Sequence, residues 1–216
     1  MEKIEEIEKK LLTAVGQRIV KYGFDNKAKG QKFYKWAPFG RIVLHLSSIE
    51  HEQDFDVTVD VAIRFDELED IVNECDALLT MKQKSNTYSL GVELGNLAKG
   101  SPRRWQVSSA EDIESMAQSI TDFFADVGMP YIEKYSNMKE AMSILGRDDA
   151  EARLHCPINE ARAMRALGLA FLLRQKELFF QIAENKISFL SASNSLGLQT
   201  FLEFKKALHH RLTEDG

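Results

Sequence analysis

Six apolar residues, Phe55, Val57, Val59, Val61, Ile63 and Phe65, occupy every odd position of one eleven-residue stretch. Asp56, Thr58, Asp60 and Arg64 fill the even positions, with Ala62 the one apolar exception. A period of two over this length is the mark of a strand with one face buried. Such a strand needs partners and a cover, so the front half of the chain is read as an antiparallel sheet with one face packed and the other carrying polar groups toward water.

Neighbouring segments supply the partners. Phe33, Tyr34 and Trp36 form a short aromatic strand, closed by Pro38 and Gly40 as a turn. Arg41 to Ile49 alternates again, with Ile42, Leu44 and Leu46 on one side and Val43, His45 and Ser47 on the other. Tyr88, Leu90, Val92 and Leu94 predict a fourth strand, and Trp105 to Val107 a fifth. A helix over 4–22 precedes the sheet, stopped by Gly23. Another is expected over 66–79, where Leu68, Ile71, Val72, Cys75 and Leu78 or Leu79 share a face. Ser108 with Glu111, or Ser109 with Asp112, caps a helix running through Phe123 and Phe124, with Gly128 and Pro130 expected to end it. Asn137 with Glu140 starts a short helix that stops near Gly146.

Beyond the charged segment 147–151 the alternation disappears. Residues 161–173 and 176–190 predict a helix hairpin turning at Arg174-Gln175, followed by a last helix over 196–212. The fold class is therefore α+β: a mostly antiparallel sheet of four or five strands with helices on one face (residues 1–146), then an all-helical C-terminal region (residues 147–216). The C-terminal stripe of Leu167, Phe171, Phe179, Phe180, Ile182, Ile187, Phe189, Phe201 and Phe204 must be covered by the first region, by itself or by a second copy. A homodimer is one of those three outcomes.

Composition narrows the function classes. With 44% hydrophobic and 28% charged residues the chain is globular rather than disordered. A net charge of −5 disfavours a dedicated nucleic-acid binder, though it leaves room for a local basic patch. Lys27, Lys29, Lys32 and Lys35, with Arg103 and Arg104, lie among Tyr34, Trp36 and Trp105; the expectation is that these aromatics fill the core while the cations keep loops and edges soluble. Two distant cysteines, Cys75 and Cys156, make neither a disulfide framework nor a zinc box. No apolar run reaches membrane-spanning length and the first ten residues lack a signal core, so the expected location is the cytoplasm.

Motifs for chemistry are sparse. The hairpin Glu50-His51-Glu52-Gln53-Asp54 gathers metal-ligand types, but adjacent strand residues point to opposite faces, and it reads as a solvated acidic turn. His155 beside Cys156 is not a nucleophile and base, because a base normally approaches through space. No phosphate-binding loop, nucleophile elbow or zinc-protease helix occurs. No cofactor and no catalytic or metal-ligating residue is assigned. His45, Asp60, Arg103, Arg104 and His155 are the candidate contacts for a ligand or partner.

Two resemblances bear on function. The order helix, three strands, helix, two strands, helix in residues 1–127 is similar to that of class I type III secretion chaperones. Separately, Gly23-Phe24, Phe33-Tyr34-Lys35-Trp36, Arg41-Ile42-Val43, the strand Phe55 to Phe65, Arg104-Trp105 with Val107, and Gly128-Met129-Pro130 resemble an uncharacterised bacterial domain family over about two thirds of the chain. The second strand departs from that family's pattern, reading His45-Leu46-Ser47-Ser48 where a Gln is expected. Neither resemblance brings catalytic residues. The acidity, the plain soluble fold and the lack of catalytic motifs lead instead to the expectation of a non-enzymatic cytoplasmic bacterial protein that binds another protein, of the chaperone-like or toxin-neutralising kind. The alternative is an enzyme or small-ligand binder with a pocket between sheet and C-terminal helices, using His45, Asp60 or His155.

Overall fold

The structure, a computed structural model, describes residues 4–75 and 79–214. Helix α1 (Ile4–Ile19) runs on as a 3-10 turn to Tyr22, and Gly23 closes it at φ +85°, a conformation glycine adopts without strain. Strands β1 (Lys32–Ala37), β2 (Gly40–Glu50) and β3 (Phe55–Phe65) follow, then α2 (Asp66–Glu74) and the single turn α3 (Met81–Lys84). After β4 (Leu90–Glu93) come α4 (Leu94–Lys99) and β5 (Trp105–Val107). Helices α5 (Ile113–Phe123), α6 (Met129–Tyr135), α7 (Met138–Leu145), α8 (Ala150–His155), α9 (Asn159–Leu172), α10 (Lys176–Ala192) and α11 (Leu198–Glu214) complete the chain. The sheet is antiparallel, ordered β1-β2-β3-β4, with β5 also on β3. The α+β class and the helical C-terminal region stand as expected.

The chain divides into two compact units, 4–63 with 91–133, and 64–90 with 134–214. This division differs from the single cut at 146/147. Residues 64–90 lie among the C-terminal helices because α2 packs on α9, with Leu68 against Gly168.

In the first unit, Ile42, Leu44, Leu46, Val57, Val59, Val61 and Ile63 form the buried sheet face, and α1 pairs with α5. The other face is less solvated than the alternation implied. Val43 is 1% exposed and Thr58 is buried, while Arg64 at the end of β3, in the second unit, is buried by bonds to Asp66, the Thr87 hydroxyl and the Lys84 and Thr87 carbonyls. The aromatic residues also split. Phe33 and Trp105 are core, but Trp36 is 60% exposed, contrary to the expectation that it fills the interior.

Gly128 and Pro130 do not end the α5 helix. Residues 124–128 form a π turn in which the Met129 N–H donates to the Phe124 carbonyl, five residues back, and the helix continues to Tyr135. The wider turn tolerates a proline that cannot donate. The absent Cβ of Gly128 leaves room for the Phe124 ring, 2.5 Å from where that atom would be. Helix α4 is another departure. The Glu93 carboxylate accepts from the Gly95 and Asn96 N–H groups, capping a helix that begins at Leu94, a residue the alternation assigns to the fourth strand. Asp149 caps α8 in the same way through Ala152 N–H, so a helix starts within the charged segment. Residues 76–78, on which the end of the expected 66–79 helix falls, lie outside the described residues.

In the second unit α9 packs on α7, α10 and α11. Leu167, Phe179, Ile182, Phe201 and Phe204 of this stripe are buried in one copy of the chain, while Phe171, Phe180, Ile187 and Phe189 are half-buried. Arg174 takes φ +53° at the hairpin turn, where the sequence placed it.

Gly16 tests the packing of the first unit. Helix propensity alone favours alanine there by about 1 kcal/mol. A Cβ on Gly16 would sit 2.3 Å from the Asn26 carbonyl oxygen, a backbone atom that cannot swing aside. Gly16→Ala is therefore expected to destabilise the protein by about 1–3 kcal/mol, read as a lower urea midpoint.

Candidate functional site

Two of the predicted contact residues meet on the open face of the sheet. His45 on β2 and Asp60 on β3 approach to 3.8 Å, too far for a hydrogen bond, and the Ser47 hydroxyl bridges them at 3.2 Å to each. This is not a hydrolytic triad, because the serine lies between acid and imidazole rather than beyond the imidazole. Burial lowers the His45 pKa despite the opposing pull of Asp60, and burial likewise raises that of Asp60. In each case burial disfavours the charged form.

The other predicted residues go elsewhere. Arg103 stacks on Trp105 and Phe123, with its Cζ 4.7 and 4.3 Å from the ring centroids. Arg104 reaches Asp56 at 3.4 Å, and His51 meets the same carboxylate at 3.4 Å. No cluster of three metal-ligating side chains occurs among the described residues. His155, in the second unit, is buried with its ring 4.9 Å from that of Tyr135.

An apolar concavity of the second unit contains none of these five. It is a cleft of about 600 Å³ lined by α2, α9 and the start of α11, with Val72, Leu79, Ile158, Ala161 and Met164 as apolar wall. Ile158 is 62% exposed at the start of α9, and Leu196, beside the lining residue Gly197, is fully exposed. Asn73, Thr87, Glu160, Thr200 and Arg165 supply polar groups.

Arg165 decides the electrostatics of the cleft. Its Nε and Nη2 donate to the two carboxylate oxygens of Glu69 at 2.8 and 3.0 Å, and its Nη1 donates to Cys156 Sγ at 3.6 Å. Burial pushes the Glu69 carboxyl up, but Arg165 and the Thr87 and Ser89 hydroxyls outweigh it, leaving the carboxyl below its ordinary range. Burial also opposes the charge of Arg165, and Glu69 overcomes it, holding the guanidinium charged. The paired cation thus presents hydrogen-bonding edges without a net charge. At the rim, Glu160 accepts from the Ser195 hydroxyl. Gly197 fits against the Glu160 side chain where a Cβ has no space. Cys75 lines the cleft as a free cysteine, and burial with the neighbouring Glu74 raises its thiol pKa, which keeps it protonated and a weak nucleophile.

Sequence reasoning missed Glu69, Arg165 and the cleft. The available signal was charge in the wrong place: Arg162 and Arg165 interrupt the Ala-, Leu- and Met-rich α9, three residues apart on one helical side. No family model, no curated protein and no solved structure matches this chain. No helix among the described residues is long and apolar enough to cross a membrane.

Two pH effects follow. Burial drops the His155 pKa from 6.5 to about 4. The folded state resists a proton that the unfolded chain accepts, so this contribution is full above pH 6.5 and falls away as the pH drops toward 4. The gap corresponds to at most about 3 kcal/mol. Urea midpoints measured at pH 7 and pH 5 are expected to differ in the parent, and to differ less in His155→Gln. Glu69 acts in a lower window: its stabilisation is present above its ordinary pKa of 4.5 and is lost as the pH falls through the lowered folded value. At neutral pH, Glu69→Gln is expected to cost about 3–5 kcal/mol by leaving Arg165 buried without its counter-ion.

Proposed function

We propose that this chain is a non-enzymatic, bacterial cytoplasmic protein-binding module, chaperone-like or toxin-neutralising, that holds an apolar segment of another protein in the cleft of its second unit. The observation that carries the reading is the chemistry of that cleft. Its walls are apolar, its cation is already neutralised by Glu69, and its thiol is held protonated. Such a surface rewards burial of uncharged side chains and offers no activated group to attack a substrate. An amphipathic helix laid across α2 and α9 would bury two or three anchor residues against Val72, Ile158 and Met164, the helix-in-groove mode of recognition. The exposed Ile158 and Leu196 would supply the apolar rim. The free Cys75 and Cys156 accord with a reducing compartment.

The same volume suits a small apolar molecule, which is the competing reading. Replacing Ile158 by a photo-crosslinking amino acid in the native host separates the two. A single discrete protein adduct is expected. Ile158→Asp is then expected to weaken binding of that partner at least tenfold, through lost burial of about 1.5–3 kcal/mol, without lowering the melting temperature. A stoichiometric small molecule in native mass spectrometry, with no protein adduct, would favour the ligand reading instead.

A further inference from the structure

We propose that the open face of β1 and β2 in the first unit is a stacking site for single-stranded nucleic acid, independent of the apolar cleft. Residues 26–49 contain Lys27, Lys29, Lys32, Lys35 and Arg41 and no aspartate or glutamate. That segment lies in a chain with 33 acidic residues and a net charge of −5. The overall acidity therefore hides a continuous cationic stretch, and the stretch folds into β1, β2 and the loop before them.

Strand geometry sorts it. Lys32, Tyr34 and Trp36 share one face of β1, and their register partners on β2 are His45, Val43 and Arg41. Val43, opposite Tyr34, is 1% exposed and gives the aromatic row an apolar floor. The Tyr34 and Trp36 rings lie 6.1 Å apart at 17°, nearly parallel and offset. Lys29 Nζ stands 5.6 Å from the Tyr34 ring centroid. The face thus carries two aromatic rings aligned in one plane direction, with Lys29 and Lys32 at one end and Arg41 at the other.

This arrangement fits planar, anionic, repeating ligands. Bases stack on exposed indole and phenol faces whatever their sequence, and lysine and arginine follow the phosphates. An acidic polypeptide would use the cations but would gain little from parallel rings. Addition of a strand to the β1 edge is disfavoured, because the chain's own loop already occupies part of that edge. The Asp25 N–H donates to the Tyr34 carbonyl at 2.8 Å, and Lys29 and Lys32 exchange backbone bonds at 2.8 and 3.4 Å. Recognition is left to the face rather than the edge.

The two tryptophans make the test direct. Trp36 is exposed and Trp105 is 5% exposed, so quenching by a soluble ligand reports on Trp36. Titrating the full chain with a short oligothymidylate at low salt is expected to quench the exposed emission. The affinity should fall with a log–log salt slope of about −2 for three cation–phosphate contacts. Trp36→Ala is expected to weaken binding about tenfold or more, and Trp36→Phe to restore part of it. Lys29→Ala with Lys32→Ala should flatten the salt slope by about 1.4. Absence of binding at low salt would overturn the proposal. So would unchanged affinity in Trp36→Ala, or a polyglutamate of equal charge binding as tightly as the oligonucleotide. The cleft variant Ile158→Asp should leave oligonucleotide binding unchanged, so this proposal and the protein-binding reading fail separately.

Discussion

The bidentate bridge between Glu69 and Arg165 is the interaction on which the second unit depends. Both side chains are removed from water, and desolvation costs several kcal/mol per ion. Only a short, two-point geometry with further hydrogen bonds offsets that. Here the carboxylate meets Arg165 twice and is supported by the Thr87 and Ser89 hydroxyls, while the guanidinium also reaches Cys156 Sγ. The pair ties α2 to α9. It thereby commits residues 64–90 to the helical unit, and it sets a neutralised cation in the wall of the apolar cleft. A hydrophobic pair could hold the same helices, but it would not leave hydrogen-bonding edges facing the space between them.

A second buried charge group organises the other end of α9. Arg162 and Lys186 both reach the Oδ1 of Asp148, at 2.9 and 2.7 Å. Two cations on one carboxylate leave an excess positive charge, and backbone carbonyls take it up. The Arg147 carbonyl accepts from both, and the Cys156 carbonyl from Arg162. Burial still lowers the Lys186 pKa despite Asp148. The arrangement pins the turn before α8 against α9 and α10. It is a structural clamp in which the Arg162 and Lys186 nitrogens all donate to groups of the protein itself.

The two surfaces proposed to act differ in kind. The cleft in the second unit is apolar and electrically quiet, so its selectivity rests on shape. The β1–β2 face in the first unit is cationic and aromatic, so its binding is salt-dependent and tolerant of sequence. A single net charge describes neither. The His45–Ser47–Asp60 group lies on that same sheet face, so the Asp60 carboxyl sits beside His45, the register partner of Lys32.

Much of the architecture was legible because it rests on short-range rules. The alternation from Phe55 to Phe65 named β3 to the residue, and the caps at Ser109-Asp112 and Asn137 lie where their side chains place them. The stops at Gly23 and Arg174 are equally local. What escaped reading depends on partners distant in sequence. Gly128 and Pro130 are valid stop signals, overridden by a π turn that Phe124 and Leu94 shape. His155 looked like an available imidazole until Tyr135 and burial closed over it. Trp36 reads as core by composition and is exposed because its strand position puts it on the open face. Glu69 and Arg165 are 96 residues apart, and no periodicity reports that two charges will desolvate together. The sequence by itself determined the strands, most of the helices and their order, since these follow from backbone sterics and side-chain period. The tertiary structure alone decided which unit each segment joins, which charges are buried and where a cleft opens, since those depend on free energies that exist only once distant groups share one environment.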